Sequence, residues 1–279
     1  MIQLPANIQP DQTTLDKLSE YQTAIDGLPT FGEQSAEAKA DFSKKNKKAN
    51  AAFNAVKVSL TAMCSGARRC VYCEDSAGSQ VEHIYPKSLY PEKTYDWDNY
   101  VYACGDCNGP KNNKFAVFRT DTGAFQSVTP PRRQPLVKPP VGKAVLINPR
   151  IENPLDYCIL DLSGTFVFVN AHPAGSNEHK RAAYTFNDVL RLNHQEREHL
   201  RTARQEAYED YKARLDRYLK LRDAGRPPAQ LDRVIEQLKR KGHPTVWKEM
   251  QRYYRRGLLP RFDQDLHDLF NLAPEALVW

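Results

Sequence analysis

Two C-x2-C motifs, Cys70-Val71-Tyr72-Cys73 and Cys104-Gly105-Asp106-Cys107, constrain the fold of this chain more than any other feature. Two residues between cysteines let both thiolates reach one ion from a tight turn, and two such turns complete the tetrahedral four-sulfur site that Zn²⁺ prefers. Coincidental cysteines or a redox pair are the alternatives, but a redox pair does not explain why the motif occurs twice. The spacing predicts that the four cysteines bind one structural zinc ion, with 30 residues inserted between the two halves of the clamp.

The composition is that of an ordinary globular protein, with 27% charged and 41% hydrophobic residues. No stretch approaches the roughly 20 apolar residues that a membrane span needs. The N-terminal sequence MIQLPANIQPDQTT lacks the basic start and the apolar segment of a signal peptide. We therefore expect a cytoplasmic protein, a compartment in which paired cysteines bind metal more often than they form disulfides. Cys64 and Cys158 stand alone, and we interpret both as small buried apolar residues.

Positive charge is concentrated in the C-terminal part of the chain. The net charge is +6, and residues 181–261 contain 20 Lys and Arg against 11 Asp and Glu. This excess suits contact with nucleic acid, but solvated amphipathic helices commonly carry the same pattern. Two features can be interpreted in both ways: the run Lys44-Lys45-Asn46-Lys47-Lys48, for which a solvated helix face is favoured, and four arginines on one predicted helix, Arg201, Arg204, Arg214 and Arg217.

Hydrophobic periodicity and helix-capping residues predict the remaining elements. Helices are predicted over 11–28, 35–63, 195–223 and 229–241, with another that begins near Pro244 and ends near Gly257. Strands are predicted over 144–148, 157–162 and 165–169, the last two forming a hairpin with a tight turn at Ser163-Gly164. The proline-rich stretch 128–142 predicts an extended connector.

The segment around the second C-x2-C pair carries further polar residues in a defined order. Glu82-His83 comes first, then Asn99, and Asn108 directly follows the second pair. This pattern resembles the HNH endonucleases, whose active site is a ββα-metal fold, and the resemblance runs from Cys70 to Phe115. A lone Glu-His pair would be no evidence for the family. Here the first C-x2-C pair, Glu82-His83, Asn99 and the second C-x2-C pair with Asn108 occur in the family's order.

The resemblance implies a role for each of these residues. By position, Glu82 and Asn108 hold a catalytic Mg²⁺ or Mn²⁺, His83 is the general base, and Asn99 orients the His83 loop. The chemistry is consistent, because a neutral histidine can deprotonate water near pH 7 and a hard divalent ion takes oxygen ligands. Two positions depart from the usual pattern: Asn108 stands where His is often found, and Glu82 where Asp is common. In isolation, a structural histidine and a surface carboxylate would be the favoured interpretations of His83 and Glu82.

Three neighbouring side chains are weaker candidates. Lys87 and Lys111 each lie a few residues from a proposed metal ligand, where an ammonium can hold a flanking phosphate, although either can equally be a solvated lysine. Trp97 is interpreted as a core residue rather than as a platform for base stacking.

These inferences combine into an α+β fold that is mostly helical. A small zinc-stabilised ββα-metal HNH unit is embedded in a helical body, with an additional β-hairpin. The predicted divisions are an N-terminal helical segment (1–65), the HNH unit (66–125), the connector and hairpin (126–175) and a basic helical region (176–279).

The resemblance implies a DNA endonuclease, with RNA as a possible substrate left open. The phrases Cys73-Glu74 and Trp97-Asp98-Asn99 resemble the HNH proteins encoded with ATPases in bacterial anti-phage systems of the Septu and retron type, which implies an ABC-type ATPase partner. The alternative is a non-catalytic zinc-stabilised nucleic-acid-binding or adaptor protein. A binding protein has no need to gather Glu82, His83 and Asn108 in one cavity, so their convergence separates the two hypotheses.

Overall fold

The computed structural model describes residues 1–129 and 136–279, which form an α+β fold that is mostly helical, as predicted. In chain order the elements are α1 (Gln12–Asp26), α2 (Phe31–Lys45), α3 (Ala51–Met63), β1 (Gln80–His83), β2 (Tyr100–Ala103), α4 (Gly105–Lys111), β3 (Ala116–Arg119), β4 (Phe125–Ser127), β5 (Gly142–Ala144), β6 (Cys158–Leu160), β7 (Phe168–Asn170), α5 (Asn177–Ala183), α6 (His199–Asp223), α7 (Pro228–Lys239), α8 (Pro244–Arg255) and α9 (Gln264–Leu272).

The N-terminal segment contains three helices instead of the predicted two. The first, α1, agrees with the prediction, and the Asp11 side chain caps it. The single helix predicted over 35–63 is wrong, because the chain breaks between α2 and α3 and the Asn50 side chain caps the new start by accepting a hydrogen bond from the Phe53 N–H. Asparagine favours such caps over helix interiors. The lysine run therefore spans the end of α2 and the turn that follows, not one helix face.

The antiparallel pair β1–β2 separates two hydrophobic clusters. Side chains alternate across a strand, so Tyr100 and Tyr102 face the first cluster, formed with α1, α2 and α3, while Val101 and Ala103 face the second. Trp97 packs in the first cluster, which agrees with its interpretation as a core residue. The β1–β2 pair is thus covered on both faces.

The second cluster contains two small antiparallel sheets. Strand β3 lies between β4 and β5, and β5 approaches so closely that a Cβ on Gly142 would clash with the Phe118 carbonyl oxygen. The strand predicted over 144–148 is wrong, because β5 ends at Ala144. The predicted hairpin is present as β6 and β7, but its loop is wider than the expected tight turn and the Asp161 carboxylate organises it.

The C-terminal helices follow the predicted boundaries closely. Helix α6 ends before Gly225, which has a φ of +63°, and α8 starts at Pro244 and ends before Gly257, which has a φ of +64°. The apolar face of α6 packs against α7, α8 and α9.

The predicted connector over 128–142 falls partly on residues 130–135, which lie outside the described residues. Its described parts, 128–129 and 136–141, contain neither helix nor strand. None of the helices within residues 1–129 and 136–279 has the length and hydrophobicity of a membrane-spanning segment.

Candidate active site

Four cysteine sulfurs meet at one point beside β1 and β2. The Sγ atoms of Cys70, Cys73, Cys104 and Cys107 all lie within 4.8 Å of one another, and the four residues are buried. The Cys73–Cys104 sulfur distance is 3.8 Å, which matches the roughly 3.8 Å edge of a tetrahedron with Zn–S bonds of about 2.3 Å. The cluster can therefore hold zinc as predicted.

A buried arginine from the C-terminal region lies against this cluster. The Arg197 Nη1 atom is 3.4 Å from the Cys107 sulfur and donates to the Leu190 carbonyl at 2.9 Å, and the residue is only 7% exposed. A guanidinium in this position offsets the negative charge that thiolate ligands bring to a buried metal site. Arg197 was not predicted from the sequence, since no local motif marks it.

Four of the predicted site residues, Glu82, His83, Lys87 and Asn108, line one cleft of about 710 Å³. Glu82 and His83 are consecutive on β1, and Asn108 lies on α4, which begins directly after the second cysteine pair. Helices α2 and α3 supply the opposite wall through Phe42 and Lys57. The tertiary structure therefore brings the Asn108 amide to the cleft of the acid-histidine pair, from which it is separated in the sequence.

His83 is held in a nearly closed pocket. Its Nε2 atom lies 2.9 Å from the Thr94 carbonyl oxygen, and the rings of Phe42 and Tyr100 meet it edge-on at 4.5 and 5.1 Å. A ring nitrogen that faces a carbonyl must carry the proton, so Nδ1 is left as the basic nitrogen. Within the described residues, no group hydrogen-bonds to Nδ1. Burial lowers the pKa of His83 well below its usual 6.5, and the charge of Lys87 lowers the pKa further, so the imidazole is neutral at neutral pH.

Asn99 lies outside the cleft and is buried under the loop that follows β1. Its side-chain amide donates to the carbonyls of Tyr85 and Lys93 at 3.0 and 2.8 Å, and its oxygen accepts from the Tyr85 N–H at 2.7 Å. One side chain thus joins the start of this loop to its end, next to the Thr94 carbonyl that contacts His83.

Lys111 is fully buried, so it is not placed to contact nucleic acid at the surface. Its Nζ atom donates to Glu82 Oε1 and to the His83 carbonyl, both at 2.6 Å. Asn108 and Lys111 are three residues apart on α4, so they lie on the same side of the helix. The buried ammonium orients the Glu82 carboxylate, and among the described residues Oε2 has no hydrogen-bond partner.

Asn108 is oriented by a residue that the sequence analysis missed. Its Nδ2 atom donates to Gln80 Oε1 at 2.6 Å, which leaves the Asn108 carbonyl oxygen available as a ligand. Gln80 is two residues before Glu82 on β1, and the two-residue period of a strand could have indicated that they share a face. Oxygen atoms of Glu82 and Asn108 therefore border one cleft, and hard divalent ions take such ligands.

Lys87 borders the cleft, as a residue that contacts a phosphate must. Its Nζ atom lies 4.9 Å from the centre of the Phe42 ring, and burial lowers the pKa of the ammonium. The second lysine of the cleft, Lys57, comes from α3 and has no counterpart in the sequence predictions. No local pattern connects α3 with β1, so only the folded chain reveals this lysine.

Comparisons with known proteins agree with the predicted resemblance. Residues 70–114 match the family model of the HNH endonucleases. A segment of 61 residues is 38% identical to the Septu protein PtuB of Bacillus thuringiensis, and the match covers 20% of this chain and 23% of that relative. A comparison with solved structures finds no significant match. The resemblance to an HNH nuclease, including one of Septu type, is confirmed.

The four-cysteine cluster predicts a specific response to mutation. We expect Cys104→Ser to lose most of the bound zinc and to unfold at a much lower temperature, because binding of a structural zinc ion contributes directly to folding. Elemental analysis and thermal unfolding measure both effects. Cys64→Ser is the matched control, since Cys64 lies outside the cluster and should keep one zinc ion per chain. Full zinc content in Cys104→Ser would contradict the assignment.

The buried Glu82–Lys111 pair predicts a large loss of stability when the cation is removed. In buffer without added Mg²⁺ or Mn²⁺, Lys111→Met should lower the free energy of unfolding by about 3–5 kcal/mol, because the Glu82 carboxylate is left buried without a partner. Chemical denaturation measures the change. Glu82→Gln in the same chain should recover part of it, whereas Lys87→Met alone should cost about 1 kcal/mol or less. Equal losses of unfolding free energy in Lys87→Met and Lys111→Met would show that the Glu82–Lys111 pair contributes no more to stability than Lys87 does.

Proposed function

We propose that this chain is a metal-dependent HNH endonuclease that hydrolyses phosphodiester bonds of DNA. The observation that carries the proposal is the convergence of Glu82, His83 and Asn108 on one cleft. A protein that only binds nucleic acid or another protein has no use for a buried neutral histidine beside two oxygen ligands. The family match at residues 70–114 supports the same activity.

His83 is the general base in this proposal. Its Nε2–H is committed to the Thr94 carbonyl, so Nδ1 is the atom that accepts the proton of the attacking water. The lowered pKa keeps Nδ1 unprotonated at neutral pH. Asn99 supports the base indirectly, because its hydrogen bonds hold the loop that carries Thr94. It is a positioning residue.

The donors of the cleft suit Mg²⁺ or Mn²⁺. Glu82 Oε2 and Asn108 Oδ1 would hold the ion, since Lys111 and Gln80 occupy the other polar atoms of these two side chains. When bound, such an ion neutralises the charge that develops on the scissile phosphate. Lys87, at the rim of the same cleft, can hold a neighbouring phosphate.

The four-cysteine cluster has a structural role in this scheme. Four protein ligands close a zinc site, so Cys70, Cys73, Cys104 and Cys107 take no part in hydrolysis. They hold α4 against β1 and so support the placement of Asn108 opposite Glu82.

We further propose that the chain is the nuclease of a bacterial anti-phage defence complex in the cytoplasm and acts with an ABC-type ATPase. The similarity to the Septu protein PtuB supports this role, as do the Cys73-Glu74 and Trp97-Asp98-Asn99 phrases. Co-purification of a large ATPase from the native host tests the partner. A chain that protects cells against phage without any such ATPase would contradict it.

The second candidate function is a non-catalytic, zinc-stabilised adaptor. The four-cysteine cluster favours it as much as it favours a nuclease, because a closed zinc site is compatible with both. The pocket around His83 favours the nuclease. Incubation of the purified protein with plasmid DNA and Mg²⁺ or Mn²⁺ separates the two functions.

The general-base assignment predicts the effect of one substitution. His83→Ala should reduce the cleavage rate by about 10²-fold or more, and DNA affinity should stay within about twofold, because the base acts only in the transition state. Single-turnover cleavage and fluorescence anisotropy measure the two quantities. His199→Ala, at an exposed position on α6, is the matched control and should retain the rate. Cleavage by His83→Ala at the wild-type rate, with unchanged zinc content, would exclude His83 as the base.

The metal assignment predicts graded losses of Mg²⁺ or Mn²⁺ affinity. Asn108→Ala should weaken binding at the cleft by about 10-fold or more, and Gln80→Ala by about 10-fold, since outer hydrogen-bond partners tune a ligand. Calorimetric titration of the zinc-loaded protein measures both without any nuclease assay. Asn271→Ala, at an exposed position on α9, should bind like the wild type. Unchanged affinity in Asn108→Ala would remove this residue from the ligand set.

A further inference from the structure

We propose that a groove along α3, next to the cleft, binds the sugar-phosphate backbone of the nucleic acid on one side of the scissile bond. The inference rests on the proposed function, because the cleft supplies the scissile site from which the backbone would enter. It assigns a binding surface outside residues 70–114, the region that matches the family model.

The groove begins where the cleft ends. Its volume is about 490 Å³, and it shares Lys57 and Ser79 with the lining of the cleft. Its remaining lining includes Lys48, Arg68 and Tyr102. We call this feature the α3 groove. The two shared residues place the α3 groove directly beside the cleft.

The charged side chains that line the α3 groove are all cationic. Among the described residues, no carboxylate lies within 4.0 Å of the charged atoms of Lys48, Lys57 or Arg68, and no Asp or Glu lines the groove. Burial lowers the pKa of Lys57, and the neighbouring charge of Lys48 lowers it further. Like charges in such proximity repel one another, so the folded chain maintains an unfavourable arrangement that a polyanion would relieve.

The α3 groove also presents apolar surface. The Arg68 guanidinium lies 5.9 Å from the centre of the Tyr102 ring, which holds the cation at the groove wall. Val58 lines the same groove and is 70% exposed. Cations and exposed apolar surface side by side suit a chain of phosphates and sugars, and Asn54, Thr61 and Ser79 add polar side chains that can hydrogen-bond to it.

The arginines of α6 are less suited to this task than the sequence suggested. Arg204 is buried and donates to the carbonyls of Phe166 and Leu192, and Arg214 pairs with Asp210. Arg201 donates to the Asn193 carbonyl. Most of the arginines that the sequence analysis placed along a phosphate backbone therefore already have partners within the fold, whereas the α3 groove retains its charge.

Binding of labelled DNA by the full chain carrying His83→Ala tests the α3 groove without cleavage. The probes are a fluorescein-labelled 20-nucleotide single strand and the duplex of the same sequence. Lys57→Gln should weaken binding of at least one probe by about 5-fold, and the slope of log Kd against log salt should fall by about one. The triple variant Lys48→Gln, Lys57→Gln, Arg68→Gln should weaken it by about 100-fold and lower the slope by two to three.

Two further variants exclude trivial explanations. Lys57→Arg keeps the charge and should bind within about twofold of the parent, which separates a charge effect from a folding defect. Lys180→Gln removes an exposed lysine of α5, far along the chain from the cleft residues, and should leave affinity and slope unchanged.

The results distinguish the α3 groove from the proposed function. A triple variant that binds as tightly as the parent, a Lys180→Gln loss equal to that of Lys57→Gln, or a parent that binds neither probe would overturn the groove. If the wild type cleaves DNA while the triple variant binds normally, only the proposed binding of the backbone in the α3 groove is excluded. If the wild type cleaves nothing while the triple variant loses affinity as expected, DNA binding by the α3 groove is supported and the nuclease assignment is excluded.

Discussion

The convergence of four cysteine sulfurs joins the parts of the chain on which the cleft depends. The first pair lies in the turn before β1, and the second pair spans the start of α4, with Cys104 directly before the helix and Cys107 within it. The clamp therefore determines where α4 begins relative to β1. Because Asn108 follows Cys107 directly, the clamp also brings this amide to Gln80 of β1, to which it donates a hydrogen bond.

The basic residues around the cysteine cluster and the cleft fall into two groups, according to whether a negative group lies beside them. Arg197 at the cysteine cluster and Lys111 at Glu82 are buried cations beside groups that are, or become, negative, and each supports a site from within the fold. Within the part of the chain that the structure describes, Lys48, Lys57 and Arg68 form a set without carboxylate partners in the groove beside the cleft. The first group stabilises the folded chain, whereas the second raises its electrostatic free energy until an anion binds.

The environment of His83 is assembled from segments that are distant in sequence. Phe42 of α2 and Tyr100 of β2 enclose the ring, and the Thr94 carbonyl determines which nitrogen carries the proton. Asn99 in turn holds the loop before Thr94. The region that matches the HNH family model, residues 70–114, therefore lacks one wall of its own cleft, which α2 and α3 provide. This dependence gives the N-terminal helices a direct part in the proposed chemistry.

The sequence by itself determined the features that depend on short spacings. Two residues between cysteines place two sulfurs on one turn, Asp11 marks the start of α1, and Gly225 and Gly257 mark the ends of α6 and α8. These features are predictable because backbone geometry relates near neighbours in a nearly invariant way. The break between α2 and α3 was missed because the hydrophobic periodicity continues through it, while the Asn50 cap decides where the second helix starts. Only the tertiary structure decided that Lys111 is buried against Glu82, that Arg197 reaches the cysteine cluster, and that Lys57 opens onto the cleft. Burial and pairing of a charge depend on which distant segments cover it, and that information is not contained in any local stretch of the chain.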